Sequence, residues 1–333
     1  MVTMQDIAER AGVSKTTVSL VLNDKPGVSE EKREEIRRIA QVCGYHLPHR
    51  IPDKQRTIRF LKYQAKGYMV CQNGDFITRV IDGVESTARE HGYSLTMMNV
   101  RAESLEAMIP VINEAHDDGI IFLGTELEPE MAPLLQEFAA PLVVLDNEMR
   151  HLDQDTVVMD NEEAVYRAMQ YLCNKGHRQI GHLTTTYAVP NLWARSRAFR
   201  QALLEFGLPD EAAFSYCVPD DVRSYAHALV RQIDPEHLPT AILADNDILA
   251  INLLRALEKL GKRVPEDISV IGIDDLAISA MTRPELTTIH LEKKRMGSAA
   301  VERLLSLIAD RSQHPLKIMT SCWLVERHSV QAI

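Results

Sequence analysis

The sequence predicts an α/β chain: an all-α head at the amino end, then a body of parallel sheets flanked by helices. Two patterns carry that prediction. Before Gly44, apolar residues recur at helical spacing in three short stretches separated by glycine, proline and serine. From Thr57 onward, apolar runs of strand length alternate with helical stretches, as strand–helix–strand units require. The charge divides near the same place. Residues 1–66 hold 13 Lys and Arg against 8 Asp and Glu, whereas residues 67–333 hold 24 against 39. A length of 333 residues suits two or three compact units. Charged residues at 25% and hydrophobic residues at 45% exclude disorder, collagen-like repeats and a disulfide scaffold as the overall state.

The first helix is expected to open at Thr3-Met4-Gln5-Asp6, where a hydroxyl and a carboxylate three positions apart can cap each other's backbone. Ile7, Ala8 and Ala11 form its apolar stripe, and Gly12 stops it. Ser14 is placed to cap a second helix, Lys15–Asn23, with Val18, Val21 and Leu22 facing inward. Pro26-Gly27 breaks that helix. Ser29-Glu30-Glu31 opens a third, with acids on its positive end and Ile36, Ile39, Ala40 and Cys43 along one side. Helix, tight turn, helix and a longer third helix make a helix-turn-helix. Its second helix can enter a DNA major groove while hydroxyls at its start hold phosphates. Ser14, Thr16, Thr17 and Ser19 give this one a dense set of short hydroxyls. The competing reading is a polar, solvated helix of another bundle. The charge asymmetry favours a head that alone meets a polyanion, against chance clustering.

In the body, strands are expected at 58–63, 94–99, 119–123, 142–145, 179–184, 240–244 and 268–273. Helices are expected at 78–91, 104–117, 162–175, 193–206 and 247–260. Gly92, Gly176, Gly207 and Gly261 stand where helix-ending glycines belong. Parallel sheets of this kind bind ligands at the carboxyl ends of their strands, and the remaining length suffices for two lobes with a cleft between them.

The residues then point to a family. The head reads Asp6-Ile7-Ala8, Ala11-Gly12-Val13-Ser14, Thr17-Val18-Ser19, Val21-Leu22-Asn23, Val28-Ser29 and Gly44-Tyr45. It closely resembles the DNA-binding head of the lactose-repressor/galactose-repressor family. The resemblance continues through Pro141-Leu142-Val143-Val144-Leu145-Asp146, Asp160-Asn161 and Gly176-His177-Arg178. Asn246-Asp247, Val264-Pro265, Gly272 with Asp274-Asp275, Leu286-Thr287-Thr288-Ile289 and Arg327 with Ser329 extend it to nearly the whole chain. The resemblance implies a helix-turn-helix head (1–46), a hinge (47–56) and a periplasmic-binding-protein-like body of two lobes (57–333) that closes on a small effector and dimerises. It implies a homodimeric, cytoplasmic repressor of transcription, bound to pseudo-palindromic operator DNA and controlled by a small metabolite such as a sugar.

On that resemblance the DNA contacts fall on Ser14, Lys15, Thr16, Thr17, Ser19, Leu20 and Asn23. Lys15, Thr16 and Leu20 are the groove-facing set; Leu20, where many members carry arginine, can otherwise pack into the head. The effector contacts fall on Asp146, Arg195, Asn246 and Asp274, with Phe76 as a wall and Asn161 and Arg101 as further candidates. A carboxylate accepting from neighbouring hydroxyls beside a fixed guanidinium fork suits a polyhydroxylated ligand. Each has a second reading: Asp274 and Arg195 as an ion pair between lobes or a helix cap, Asn246 as the cap of the helix opening at Asp247, Phe76 as core. Members that stack a ring often carry an aromatic just before the helix that here holds Tyr225. Cys217-Val218-Pro219-Asp220-Asp221 offers none.

The hinge departs furthest from the family. Leu47-Pro48-His49-Arg50-Ile51-Pro52-Asp53-Lys54-Gln55-Arg56 lacks the expected Ala-Arg-x-Leu core, and Lys54 falls where the leucine would wedge the minor groove. Pro52 opposes a helix begun near Leu47, although a short helix starting at Arg50 tolerates it. An extended linker is the expectation, with His49, Arg50, Lys54 and Arg56 on phosphates or a narrow minor groove and Ile51 the remaining apolar wedge.

Other classes find little support. No Gly-x-Gly, Gly-Lys-Ser/Thr, His-Glu-x-x-His or Gly-x-Ser-x-Gly occurs. No cofactor, metal site or catalytic residue is expected. The five cysteines, 43, 71, 173, 217 and 322, contain no Cys-x-x-Cys and read as reduced thiols. The longest apolar run, Ala139–Leu145, is far short of the roughly 18–20 residues of a membrane span. Asp6, Glu9 and Arg10 stand where an export signal needs an apolar stretch. The alternatives are a cleft-bearing α/β enzyme that processes sugars and a transport-type small-molecule binding protein.

Overall fold

A computed structural model describes residues 3–22, 25–43, 56–66, 73–187, 189–209, 214–219 and 224–333. The chain divides into two compact units, Met1–Gln55 and Arg56–Ile333.

The first unit holds three helices: α1 (Met4–Ala11), α2 (Lys15–Leu22) and α3 (Glu30–Val42). The Thr3 backbone N–H donates to the Asp6 carboxylate at 2.8 Å and the Asp6 N–H returns a bond to the Thr3 hydroxyl, so the capping box forms. Gly12 ends α1 at φ 61°, a left-handed turn that glycine adopts without a Cβ clash. Ser14 caps α2, its hydroxyl accepting from the Thr17 N–H at 3.0 Å. Ile7, Ala8, Ala11, Val18, Val21, Ile36 and Ala40 make one buried cluster from all three helices. Arg33 donates to the carbonyls of Val28 and Lys25 and fastens the turn between α2 and α3.

The second unit carries two six-stranded sheets, β11-β5-β4-β3-β1-β2 and β12-β10-β9-β8-β6-β7. The strands of the first are β1 (Thr57–Gln64), β2 (Ser94–Arg101), β3 (Gly119–Leu123), β4 (Leu142–Leu145), β5 (Thr156–Met159) and β11 (Lys317–Thr320). Those of the second are β6 (Ile180–Thr185), β7 (Ser215–Val218), β8 (Ala241–Ala244), β9 (Ser269–Asp274), β10 (Thr287–Leu291) and β12 (Cys322–Val325). Pairing is parallel except between β10 and β12. Each sheet defines a lobe, and the chain passes between lobes three times, after β5, β10 and β11. Every residue of β3, β4, β8 and β9 is buried. Strands covered on both faces read as unbroken apolar runs, which is why these four are plain in the sequence; β5 is equally buried but is not among the expected strands.

The helices are α4 (Gly74–Glu90), α5 (Leu105–Glu114), α6 (Asn161–Asn174), α7 (Pro190–Glu205), α8 (Tyr225–Gln232), α9 (Asp247–Lys259) and α10 (Lys293–Ala309). The four expected terminating glycines all have positive φ, between 63° and 100°. Helices α4 and α10 touch through Gly83 and Gly297: a Cβ on Gly297 would lie 2.2 Å from the Val80 carbonyl oxygen. No described helix is long and apolar enough to cross a membrane.

Candidate functional site: the cleft between the lobes

The turns at the carboxyl ends of β4 and β9 place Asp146 and Asp274 at the cleft. Both have left-handed backbones, φ 66° and 120°, and Asp275 follows at 49°. Non-glycine residues hold such angles only when their surroundings enforce them, and they concentrate at functional sites. A small cavity of about 30 Å³ lies between the lobes, lined by residues that include Asn73, Phe76, Asp146, Arg195, Asn246 and Asp274.

Arg195, 3% exposed on α7, is the hub. It donates to Asn161 Oδ1 at 2.9 Å, to the Asp245 carbonyl, and to Asp274 Oδ1 at 3.4 Å, and it touches Met159 Sδ at 3.0 Å. A second chain of bonds surrounds Asp146. Thr125 donates to its carboxylate at 2.6 Å and Asn191 at 2.9 Å, while Asn161 donates to Asn191 at 3.0 Å. Asn191 belongs to the second lobe and Asp146 to the first, so this bond spans the cleft. Asn73 reaches across in the other direction to Asp274 at 3.4 Å. Near the first-lobe loop, the Lys66 ammonium lies 5.3 Å from the Tyr187 ring centroid, a third contact across the lobes.

Burial dominates the electrostatics. It pushes the Asp146 carboxyl up to about 7, against the opposing pull of Thr125 and Arg195. Burial also raises Asp274, opposed by Arg195 and Lys293, and lowers the ammonium of Lys293. Beneath the cleft Asp247 is lifted to about 7 by burial while accepting from Ser279, Thr288 and the Leu276 N–H. Such a cleft offers carboxylates, a fixed guanidinium and side-chain amides around a small volume. That set can exchange its internal hydrogen bonds for those of a ligand rich in hydroxyls.

Asn246 and Phe76 each combine a structural place with a place on the cavity wall. Asn246 caps α9, its side chain accepting from the Leu249 N–H at 2.8 Å, and it lines the cavity. Phe76 is 1% exposed in the core and lines the cavity too. Asn161 works behind Arg195. Arg101 stands apart: it is exposed at the end of β2, 3.7 Å from Glu103, and does not line the cleft in this arrangement. A strand end on the edge of the sheet, solvated and paired locally, keeps it there. Asn191, Thr125 and Asn73 join the site without having been singled out in the sequence. Asn191 had a signal, since it precedes Arg195 by four residues and so shares its helix face.

In the head, Ser14, Lys15 and Thr16 are exposed, and Thr17, Ser19 and Leu20 are partly buried. The Ser14 and Thr17 hydroxyls lie 2.8 Å apart. Leu20 is not part of the buried cluster. Asn23, His49, Arg50, Ile51, Lys54, Asp220 and Asp221 lie outside the described residues. Among the described residues no group of acids, histidines and cysteines is arranged to hold a metal ion.

Comparison with known proteins agrees with this architecture. Residues 3–47 match the family model for bacterial regulatory proteins of the lacI family, and residues 169–330 match that for a periplasmic binding protein-like domain. The HTH-type transcriptional repressor PurR of Vibrio atlanticus is 31% identical, with all of both chains covered. PurR of Pectobacterium carotovorum is 30% identical over 99% of this chain and 97% of its own. Among solved structures, a lac repressor bound to ONPG in the repressed state superposes with a TM-score of 0.76 at 23% identity, covering 99% of each chain. The regulator CelR in complex with cellobiose gives 0.74 at 24% identity, covering 99% of this chain and 100% of its own. At those identities the structural likeness speaks for the fold.

Proposed function

Because the chain belongs to the lacI family of bacterial regulatory proteins, we propose that it is a homodimeric repressor whose grip on operator DNA is set by a small polyhydroxylated metabolite held between its lobes. It is a sequence-specific DNA-binding regulator of transcription. Residues 1–46 read the operator through α2, residues 47–56 form the hinge, and residues 57–333 bind effector and dimerise. Pairing about a two-fold axis doubles the few base pairs one head reads and matches a pseudo-palindromic site. The protein acts on DNA in the cytoplasm, and we assign it no catalytic step.

The observation that carries the effector half is the buried network joining Arg195, Asn161, Asn191, Asp146 and Asp274. Its members come from both lobes, so a ligand that replaces the internal bonds must alter how the lobes close. Control is then linkage: effector and operator favour different placements, and each changes the other's affinity by the same factor. Asp274→Ala and Arg195→Ala are expected to abolish the effector response while the effector-free protein still binds operator.

The test has two steps. Binding-site selection from random duplex DNA should return one pseudo-palindromic consensus. A thermal-shift screen of sugars, sugar phosphates and nucleosides should then find a ligand that stabilises the fold by about 2.7 kcal/mol at a hundred times its dissociation constant and changes operator affinity. Selection that yields no consensus sinks the DNA reading. A consensus without any ligand that shifts affinity sinks the effector reading.

A further inference from the structure

We propose that a second cavity, on the flank of the cleft, binds a small zwitterion of the α-amino-acid class. This cavity holds about 320 Å³, roughly ten times the space in the cleft itself. That volume is at the lower end of what small-molecule sites require. Its walls come from both lobes: Arg150 beyond β4, Met159 of β5 and Met319 of β11 on one side, and Glu162 of α6 with Arg197 and Gln201 of α7 on the other.

The charges around it decide the ligand. Most are already satisfied. Arg150 lies 3.3 Å from Glu148, Asp160 caps α6 through the Glu163 N–H at 2.9 Å, and Glu205 accepts from Gln201 at 2.9 Å. Beyond the backbone bonds of their helices, Arg197 and Glu162 make no hydrogen bond or ion pair with any described residue. One free guanidinium and one free carboxylate border the same space, with Val158, Met159 and Met319 as the apolar lining. A simple anion would satisfy Arg197 but meet Glu148, Asp160, Glu162 and Glu205. A simple cation would leave Arg197 unanswered. A zwitterion answers both: its carboxylate takes the guanidinium fork in two parallel bonds, its ammonium faces Glu162, and an aliphatic side chain covers the two methionines.

The place has a consequence for the cleft. Met159 lines both cavities, and Asn161 lines the second while holding the Nε of Arg195. A ligand wedged against Met159 and Asn161 biases the side chains that position Arg195, and it spans the two lobes. Occupancy of the flank should therefore change the affinity for the cleft ligand, with reciprocal effect. This coupling rests on the cleft being the effector site; the binding itself does not.

Isothermal titration of the full chain, without DNA or effector, separates the two. The probes are L-leucine, N-acetyl-L-leucine, which lacks the ammonium, and L-leucinamide, which lacks the carboxylate. We expect saturable binding of leucine, weakened at least about tenfold (1.4 kcal/mol) by blocking either end. The same loss is expected in Arg197→Ala and Glu162→Gln, whose surface positions leave folding intact. Absence of saturable binding at millimolar leucine overturns the proposal. So does equal binding of the blocked compounds, or unchanged binding in Arg197→Ala, which would place leucine elsewhere.

Discussion

Replacing Asp146 by asparagine should make the protein more stable, and the gain should grow with pH. Asp146 is 2% exposed, and burial lifts its carboxyl from an ordinary 3.8 to about 7. Between those values the folded chain keeps a proton that the unfolded chain has released. Stability therefore falls as pH rises through that window, with no penalty below 3.8 and the full penalty above about 7. At pH 8 the unfolded carboxyl lies about 4 pH units above its pKa and the folded one about 1, a difference worth about 4 kcal/mol at 1.36 kcal/mol per unit. At pH 5 only the unfolded chain has ionised, and the cost drops to about 1.5 kcal/mol. Asparagine removes the charge and keeps the shape: its oxygen still accepts from Asn191, and its amide donates to the Thr125 hydroxyl, which rotates to accept. Urea denaturation of both proteins from pH 5 to pH 8 measures the gap. Asp247 titrates in the same range but is common to both, so the difference isolates Asp146. A gap that does not change with pH, or a variant less stable at pH 8, would refute the assignment of a burial-strained carboxylate.

Arg195→Ala should cost about 3–5 kcal/mol, because Asp274 is then left buried without its guanidinium; chemical denaturation reads the loss, and an unaltered midpoint would show that the pair carries no such weight. Gly297→Ala should cost about 1–3 kcal/mol by forcing α4 and α10 apart, visible as a lower melting temperature. Leu20→Arg should move base preference at one half-site position toward guanine by about 1–3 kcal/mol, and an identical consensus from both proteins in site selection would rule out that placement of α2. The hinge sequence predicts less operator bending than the family's minor-groove wedge implies and a steep loss of affinity with salt; a sharp central kink in a circular-permutation gel assay, abolished by Ile51→Ala, would show instead that Ile51 wedges the minor groove.

The parts of the fold that could be read from the sequence are those whose signals are local. The capping box at Thr3 and Asp6, the stop at Gly12 and the cap at Ser14 each need only a few neighbouring residues, and the head follows from them. Of the five fully buried strands described, β3, β4, β8 and β9 announce themselves as apolar runs, and only the short β5, Thr156–Met159, is not among the expected strands. The edge strand β11 does not, because Lys317–Thr320 is mostly open to solvent and owes its strand to pairing with β5 on return from the other lobe. Helix α10 was equally silent. Its first turn is Lys293-Lys294-Arg295, and Lys293 is nonetheless buried, a placement that only the crossover from β10 explains. The same division runs through the site. Asp146 and Asp274 end apolar strands, where an acid is conspicuous. Thr125 and Asn73 acquire meaning only from partners 21 and 201 residues away.

That distant pairing also shows what a ligand has to do. Asn191 holds Asp146, and Asn73 holds Asp274, each bond running from one lobe to the other. The cleft is thus closed on its own amides, around about 30 Å³. Buried ionic groups of this kind are poor sources of stability, since apolar replacements of similar shape are often neutral or better. The strained backbones at Asp146, Asp274 and Asp275 add to the cost. A ligand with hydroxyls at suitable spacing can take over the acceptor oxygens that the two amides occupy. It then replaces direct lobe-to-lobe bonds with bonds that run through itself, and the distance between its hydroxyls sets how far apart the lobes stand. The closure angle of the body therefore depends on the ligand's dimensions as well as on its affinity, and a ligand that binds tightly without changing that distance would leave the operator affinity where it was.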